Sequence, residues 1–175
     1  TVPSGRLPIT FPKSVDQLPP YDDYSMVGRT YKYMKEEPLF PFGFGLSYTN
    51  FKYENLVLEQ TQVAAGKPVT VEVTVTNTGR RAADEVVQCY LSDLEASVRV
   101  PMYDLKGFQR VYLWPGQSRT VRFELTAEAM KLVDNDGNRV LEPGDFRVTV
   151  GGSSPGPRAL ALGAPAPVSG VFTVQ

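Results

Sequence analysis

From Phe51 onward, apolar and polar residues alternate with a period of two. Val69, Val71, Val73 and Val75 share one parity while Thr70, Glu72, Thr74 and Thr76 take the other, the pattern of a strand with one face in a core and one in water. The same parity turns Val87, Cys89 and Leu91 inward in a second strand, Val121, Phe123 and Leu125 in a third, and Phe146, Val148 and Val150 in a fourth. Turn residues punctuate the intervals at Asn77 to Gly79, Pro115-Gly116, Asp136-Gly137 and Pro143-Gly144. Ala127 to Leu132 hints at one helical turn, and Gly170 to Val174 predicts a last strand closing a sheet edge. Between them, Ser153 to Ser169 is rich in Ser, Gly, Pro and Ala and is expected to cross the surface. About seven short strands at this spacing predict an all-β fold, an antiparallel β-sandwich of the immunoglobulin or fibronectin type III kind.

The pattern fails before Phe51. Prolines at 3, 8, 12, 19, 20, 38 and 41 predict extended, irregular backbone with one short strand, Leu7 to Phe11. Ten of the nineteen aromatic residues fall between Tyr21 and Tyr53. A flexible linker is rich in Gly and Ser and poor in rings. Rings at this density stay in solution by packing, so the segment reads as an ordered arm lying on a protein surface.

Composition then narrows the chemistry. The 42% of hydrophobic residues suffices for a real core. The 18 basic and 19 acidic residues nearly cancel, which removes the positive footprint that nucleic acid or anionic lipid attracts. Neither nucleic acid nor a membrane is an expected partner, and no stretch approaches the roughly 20 apolar residues of a membrane span. The chain has no histidine, which excludes Ser/His/Asp triads, Cys/His pairs and most zinc and iron sites. Cys89 stands alone, so no internal disulfide forms, and its inward parity makes it a small buried hydrophobe. No metal site and no cofactor are expected. The first ten residues lack a basic segment followed by an apolar core, and the absence of Met at position 1 suggests that this is not a natural start. Secreted, periplasmic and cytoplasmic locations all stay open.

Carboxylates are the plentiful catalytic raw material, and a pair held about 5 to 5.5 Å apart can serve as acid and nucleophile. The candidate pairs are Asp22 with Asp23, Asp84 with Glu85, and Asp134 with Asp136. The last two have local explanations: Asp84 and Glu85 open a strand after a turn, and Asp134 to Gly137 is hairpin chemistry. Asp22 and Asp23 sit in the aromatic arm. Trp114, the sole tryptophan, ends a strand before Pro115-Gly116 and is expected to lid the core, with a sugar platform as the other reading. Gly43 and Gly45 alternate with Phe42 and Phe44, but no helix follows them, so a phosphate loop fails.

Several long words resemble glycoside hydrolase family 3, the β-glucosidases and β-xylosidases. GRLPITFP (Gly5 to Pro12) is similar to the closing strand of that family's α/β-sandwich domain. GRTYKYMKEEPLFPFGFGLSYTNFKY (Gly28 to Tyr53) resembles the connection to its C-terminal fibronectin-like domain. DEVVQCYLSD (Asp84 to Asp93), LKGFQRVYLWPGQSRTVRFEL (Leu105 to Leu125) and PGDFRVTVGGSS (Pro143 to Ser154) resemble that domain itself. Departures are small: Ala83 where the family often has Gly, Cys89 where it often has Leu, and Met102-Tyr103 where a basic residue is common.

The resemblance implies three regions: 1–12 as the last strand of the α/β-sandwich domain, 13–50 as an ordered interdomain arm, and 51–175 as the fibronectin type III-like sandwich. It also implies what is missing. The family's aspartate nucleophile lies in a (β/α) barrel within a Ser-Asp-Trp type motif, and its acid/base carboxylate lies in the barrel or the α/β-sandwich domain. Here Ser92-Asp93 is followed by Leu94, and the family's sugar-binding Lys-His element cannot occur without histidine. No catalytic residue is therefore expected in this chain. It would be the non-catalytic C-terminal part of a retaining enzyme removing terminal β-D-glucosyl or β-D-xylosyl residues. Its partners would be the barrel and α/β-sandwich domains, and through them a β-linked glycoside. Asp22, Asp23, Tyr24, Met26 and Arg29 are expected at the pocket rim, shaping the aglycone side. The bland reading makes Tyr24, Tyr31 and Tyr33 interdomain mortar and Arg29 an ion-pair partner. The competing expectation is a free-standing β-sandwich that binds polysaccharide or protein.

Overall fold

A computed structural model describes residues 2–175. It contains the expected β-sandwich. One sheet holds β1 (Phe51–Leu58), β3 (Val69–Asn77) and β6 (Ser118–Leu125) in the order β1-β3-β6, antiparallel throughout. The other holds β2 (Gln62–Val63), β10 (Val168–Val174), β9 (Gly144–Gly151), β4 (Ala83–Asp93) and β5 (Asp104–Leu113) in the order β2-β10-β9-β4-β5. Only the short β2 runs parallel to its neighbour. A small hairpin pairs β7 (Leu132–Val133) with β8 (Arg139–Val140).

Between the sheets lie the residues that the parity turned inward: Val69, Val71, Val73 and Val75, then Val87, Cys89 and Leu91, then Val121, Phe123 and Leu125, then Phe146, Val148 and Val150. Phe146 and Phe172 stack at 5.6 Å. Fully burying each such side chain stabilises the fold by about 1.5–3 kcal/mol, so this interior dominates the energetics. Asn77, at the end of β3, is buried and holds the turn that follows: its side chain donates to the carbonyls of Arg81 and Leu113 and accepts from Gly79 N–H and the Thr49 hydroxyl. The helical turn appears as α2 (Ala127–Met130), capped by Thr126.

Three expectations need correction. Leu7 to Phe11 is not a regular strand but an extended segment touching 39–44 at its two ends. Leu7 N–H donates to Phe44 O at 2.9 Å and Phe11 N–H to Phe40 O at 2.9 Å, while Leu7 and Phe11 carbonyls accept from Gly43 and Leu39. Pro8, Pro12 and Pro41 have no N–H to fill a continuous ladder. Residues 153–169 are not merely a surface crossing, because Ser153 and Ser154 are buried and α3 (Pro157–Ala161) follows; the last strand also begins at Val168. Trp114 does not lid the core. It is 62% exposed and meets Tyr112 edge-to-face at 5.8 Å, because even-numbered residues at this end of β5 point away from the buried Val111 and Leu113.

Parts of residues 2–50, around Tyr31 and Gly43, lie against the outward face of the five-stranded sheet. Tyr31, in the single turn α1 (Thr30–Tyr33), stacks on Phe42 at 4.2 Å and meets Tyr90 edge-on at 6.0 Å. Its hydroxyl accepts from Leu105 N–H at 3.2 Å, and the neighbouring Lys32 pairs with Asp104 at 2.6 Å. Among the described residues no helix is long and apolar enough to cross a membrane.

Candidate functional site

Two constellations that involve the first fifty residues carry unusual chemistry, one buried and one exposed. The buried one pins the arm to the sandwich. Glu85 shares the inward parity of Val87 and Cys89 and is 0% exposed. Its carboxylate accepts from Arg6 Nη2 at 2.5 Å and from the Tyr53 hydroxyl at 2.6 Å, while Arg6 Nε donates to Gly152 O at 3.2 Å. Burial raises the Glu85 pKa, outweighing the Arg6 charge and the Tyr53 hydrogen bond that pull it down. Burial, together with the Glu85 charge, pushes the Tyr53 phenol well up. Alongside, the Gln88 amide donates to Gly43 O at 3.0 Å and Gly152 O at 2.8 Å, and its Oε1 accepts from the buried Tyr90 hydroxyl. Each of these side chains has a partner within the chain, so the cluster holds structure.

The exposed constellation contains the residues expected at a pocket rim. Residues 20–29 form a loop closed by Arg29, whose guanidinium donates to the carbonyls of Ser25, Pro20 and Asp23. Arg29 is thus a staple for three backbone carbonyls, in place of the ion pair that the bland reading gave it. Asp23 accepts from Ser25 N–H at 2.8 Å, and that hydrogen bond holds its carboxyl below the usual range, with the Arg29 charge adding to it. Tyr21, Asp23, Tyr24 and Arg29 line one open hollow with Val15 and Leu18. Tyr21 and Tyr24 are 97% and 90% exposed. Met26 lies along an adjoining groove with Ile9, Thr10 and Phe42, which shares Leu18 and Arg29 with the hollow, and the exposed Asp22 lines neither. Of the five expected residues, the fold therefore gathers Asp23, Tyr24 and Arg29.

The other carboxylate pairs are local structure. Asp84 and Glu85 point to opposite faces of β4, Asp84 pairing with Arg110 at 2.7 Å. Asp134 accepts from the N–H groups of Asp136 and Asn138 and so closes its hairpin. Among the described residues no three acidic or thiol groups gather as metal ligands. Burial pushes the Cys89 thiol up to about 12, which leaves it inert. Sequence reasoning missed Arg6, Gln88 and Tyr90 altogether. The available signal was a charged residue, Glu85, on the inward parity of a core strand.

Comparison with known proteins places this architecture. Residues 1–48 match the family model described as the glycosyl hydrolase family 3 C-terminal domain, and residues 85–154 match the fibronectin type III-like domain. The chain is 45% identical over 157 residues to a β-xylosidase of Formosa agariphila, a match covering 87% of this chain and 22% of that protein. It is 41% identical over 161 residues to a periplasmic β-glucosidase of Salmonella typhimurium, covering 85% and 21%. Among solved structures, a β-glucosidase from Erythrobacter marinus superposes with a TM-score of 0.81 at 36% identity, covering 99% of this chain and 22% of the other. The chain spans about a fifth of the length of the curated relatives it matches. With its fibronectin type III-like sandwich and the segment that precedes it, the chain belongs to glycoside hydrolase family 3 and corresponds to the C-terminal region of those enzymes.

Proposed function

We propose that this region is the non-catalytic C-terminal part of a retaining β-glycosidase that removes terminal non-reducing β-D-glucosyl or β-D-xylosyl residues. The nucleophile and acid/base would be supplied by a barrel and an α/β-sandwich domain of the same enzyme. Residues 1–12 would close the α/β-sandwich sheet, 13–50 would form the interdomain arm, and 51–175 would hold the catalytic domains in fixed relation. A cleft built by two domains needs that, since a 1 Å misplacement can cost about a hundredfold in rate.

The loop of residues 20–29 carries this reading. It holds Tyr21 and Tyr24 almost fully in solvent, yet fixes their backbone through Arg29. Exposed rings on a stapled loop are ready to meet another surface without further ordering cost. The segment of residues 7–11 adds support: Ile9 is 54% exposed and makes no backbone hydrogen bond among the described residues.

Two measurements test the proposal. The isolated chain is expected to leave aryl β-glucosides and β-xylosides intact; turnover abolished by replacing one of its own acidic side chains would overturn it. In the complete enzyme, Tyr24→Ala is expected to raise KM for a disaccharide roughly three- to tenfold, the size of one aromatic contact. Asp23→Ala is expected to move KM in the same direction. Unchanged KM and kcat with a lowered Tm would leave both residues only as mortar between domains.

A further inference from the structure

We infer that the outward face of β5, formed by Phe108, Tyr112 and Trp114, is the seat of the domain preceding this region in the enzyme's polypeptide. The inference rests on the reading above and adds a second, separate contact to that of the arm. Phe108 is 67% exposed, Tyr112 49% and Trp114 62%, all on one face at the end of the five-stranded sheet. Single exposed apolar residues are ordinary, but two rings on one edge strand and a third on the residue that follows it form a patch. Tyr112 and Trp114 brace each other edge-to-face, so the patch is rigid before anything meets it.

Two observations identify the occupant. The first is continuity. The arm covers this face over Gln88 and Tyr90, and Phe108 stands directly across from Gln88 in the β4–β5 register. On β5 the arm reaches only Asp104 and Leu105 at the start of the strand and Arg110 through Ser4, and the ring patch is the uncovered remainder of one surface. The second is the path of the chain. Arg110, between Phe108 and Tyr112, donates to Ser4 Oγ at 3.0 Å and pairs with Asp84 at 2.7 Å. The beginning of the described chain therefore runs beside the rings, and in the curated relatives the matched region is only about a fifth of the polypeptide. A domain tethered at this point faces the patch at high effective concentration and needs little intrinsic affinity to stay there. With the Arg110 charge answered by Asp84, the patch suits an apolar surface.

Thiol labelling tests the assignment. Cys89 is buried and stays silent, so Phe108→Cys, or Trp114→Cys should the first variant misfold, reports alone in this region. Val133→Cys, exposed on the small hairpin, is the reference. Maleimide modification is followed by peptide mass in the isolated chain and in the complete enzyme. Position 108 or 114 is expected to react at least tenfold more slowly in the complete enzyme, with position 133 equally fast in both. Equal rates at 108 in an active enzyme would overturn the docking assignment and leave the proposed function standing. Protection in the isolated chain that grows with its concentration, or that a soluble β-glucan induces, would assign the rings to a second copy or to sugar and also overturn it.

Discussion

Glu85→Ala is expected to lower the unfolding free energy of the chain by about 3–5 kcal/mol, the usual consequence of removing one partner from a buried ion pair. Of a total of about 5–15 kcal/mol for a domain, that is a large share. The substitution leaves the Arg6 guanidinium and the Tyr53 hydroxyl facing a hole with no acceptor. At this chain length the corresponding fall in Tm is about 6–20 °C. Guanidinium denaturation reads it as a lower midpoint at unchanged slope. The double variant Arg6→Ala, Glu85→Ala should lose less than the two single losses combined, since both remove the same contact. A loss below about 1 kcal/mol for Glu85→Ala would mean that water reaches the carboxylate. The pH dependence has a definite sign. Burial raises the folded pKa of Glu85 above its ordinary 4.5, so the stability tied to its proton is complete below that value. It is lost as pH rises through the raised value. Wild type should therefore stand better relative to the non-titrating Glu85→Gln at pH 4 than at pH 7.

Gly43→Ala is the second large effect. Gly43 has a φ of +74°, where an L side chain costs about 1–2 kcal/mol. A Cβ would also lie 2.0 Å from Gln88 Oε1 and 2.9 Å from the Tyr90 hydroxyl. Gln88 cannot swing aside, because its amide is tied to two carbonyls and its oxygen to Tyr90. Breaking that buried set adds about 1–3 kcal/mol, for a total of about 2–5 kcal/mol. Unlike the Glu85 change, this one should act locally, lifting residues 39–44 and their partner 5–12 while the sandwich stays folded. Trypsin is expected to cut the variant faster at Lys13, Arg29 and Lys35, with the fragment from Phe51 onward surviving. Cleavage at the wild-type rate would show that the sheet accommodates the methyl.

The sandwich was legible in the sequence because its determinants are local. A valine at every second position states which face is inward, and Asn77, Pro115 and Asp136 mark where the chain turns. The same rule, carried one strand further, would have turned Trp114 outward beside Tyr112, since Val111 and Leu113 occupy the inward parity. The arm was legible only as an object that must pack. Its partners are distant in the chain: Ser154 N–H reaches Phe42 O, and Gln88 reaches Gly43 O. No periodicity records such pairs, which is why Ser153 and Ser154 read as surface and are buried. At the candidate rim, the sequence marked a loop but not its mechanics. Neither the rim reading of Arg29 nor its bland reading as an ion-pair partner contained the three backbone carbonyls that the tight turn after Pro20 offers it.

The Arg6–Gly152 hydrogen bond joins residues 146 apart in the chain. During synthesis the arginine leaves the ribosome long before its acceptor exists, with a delay of about 7–30 s at roughly 5–20 residues per second. Through that interval the ring-bearing leader lacks part of the surface it lies on. The nascent chain is thus vulnerable to sticking and to proteases until Gly152 and Ser154 have been made.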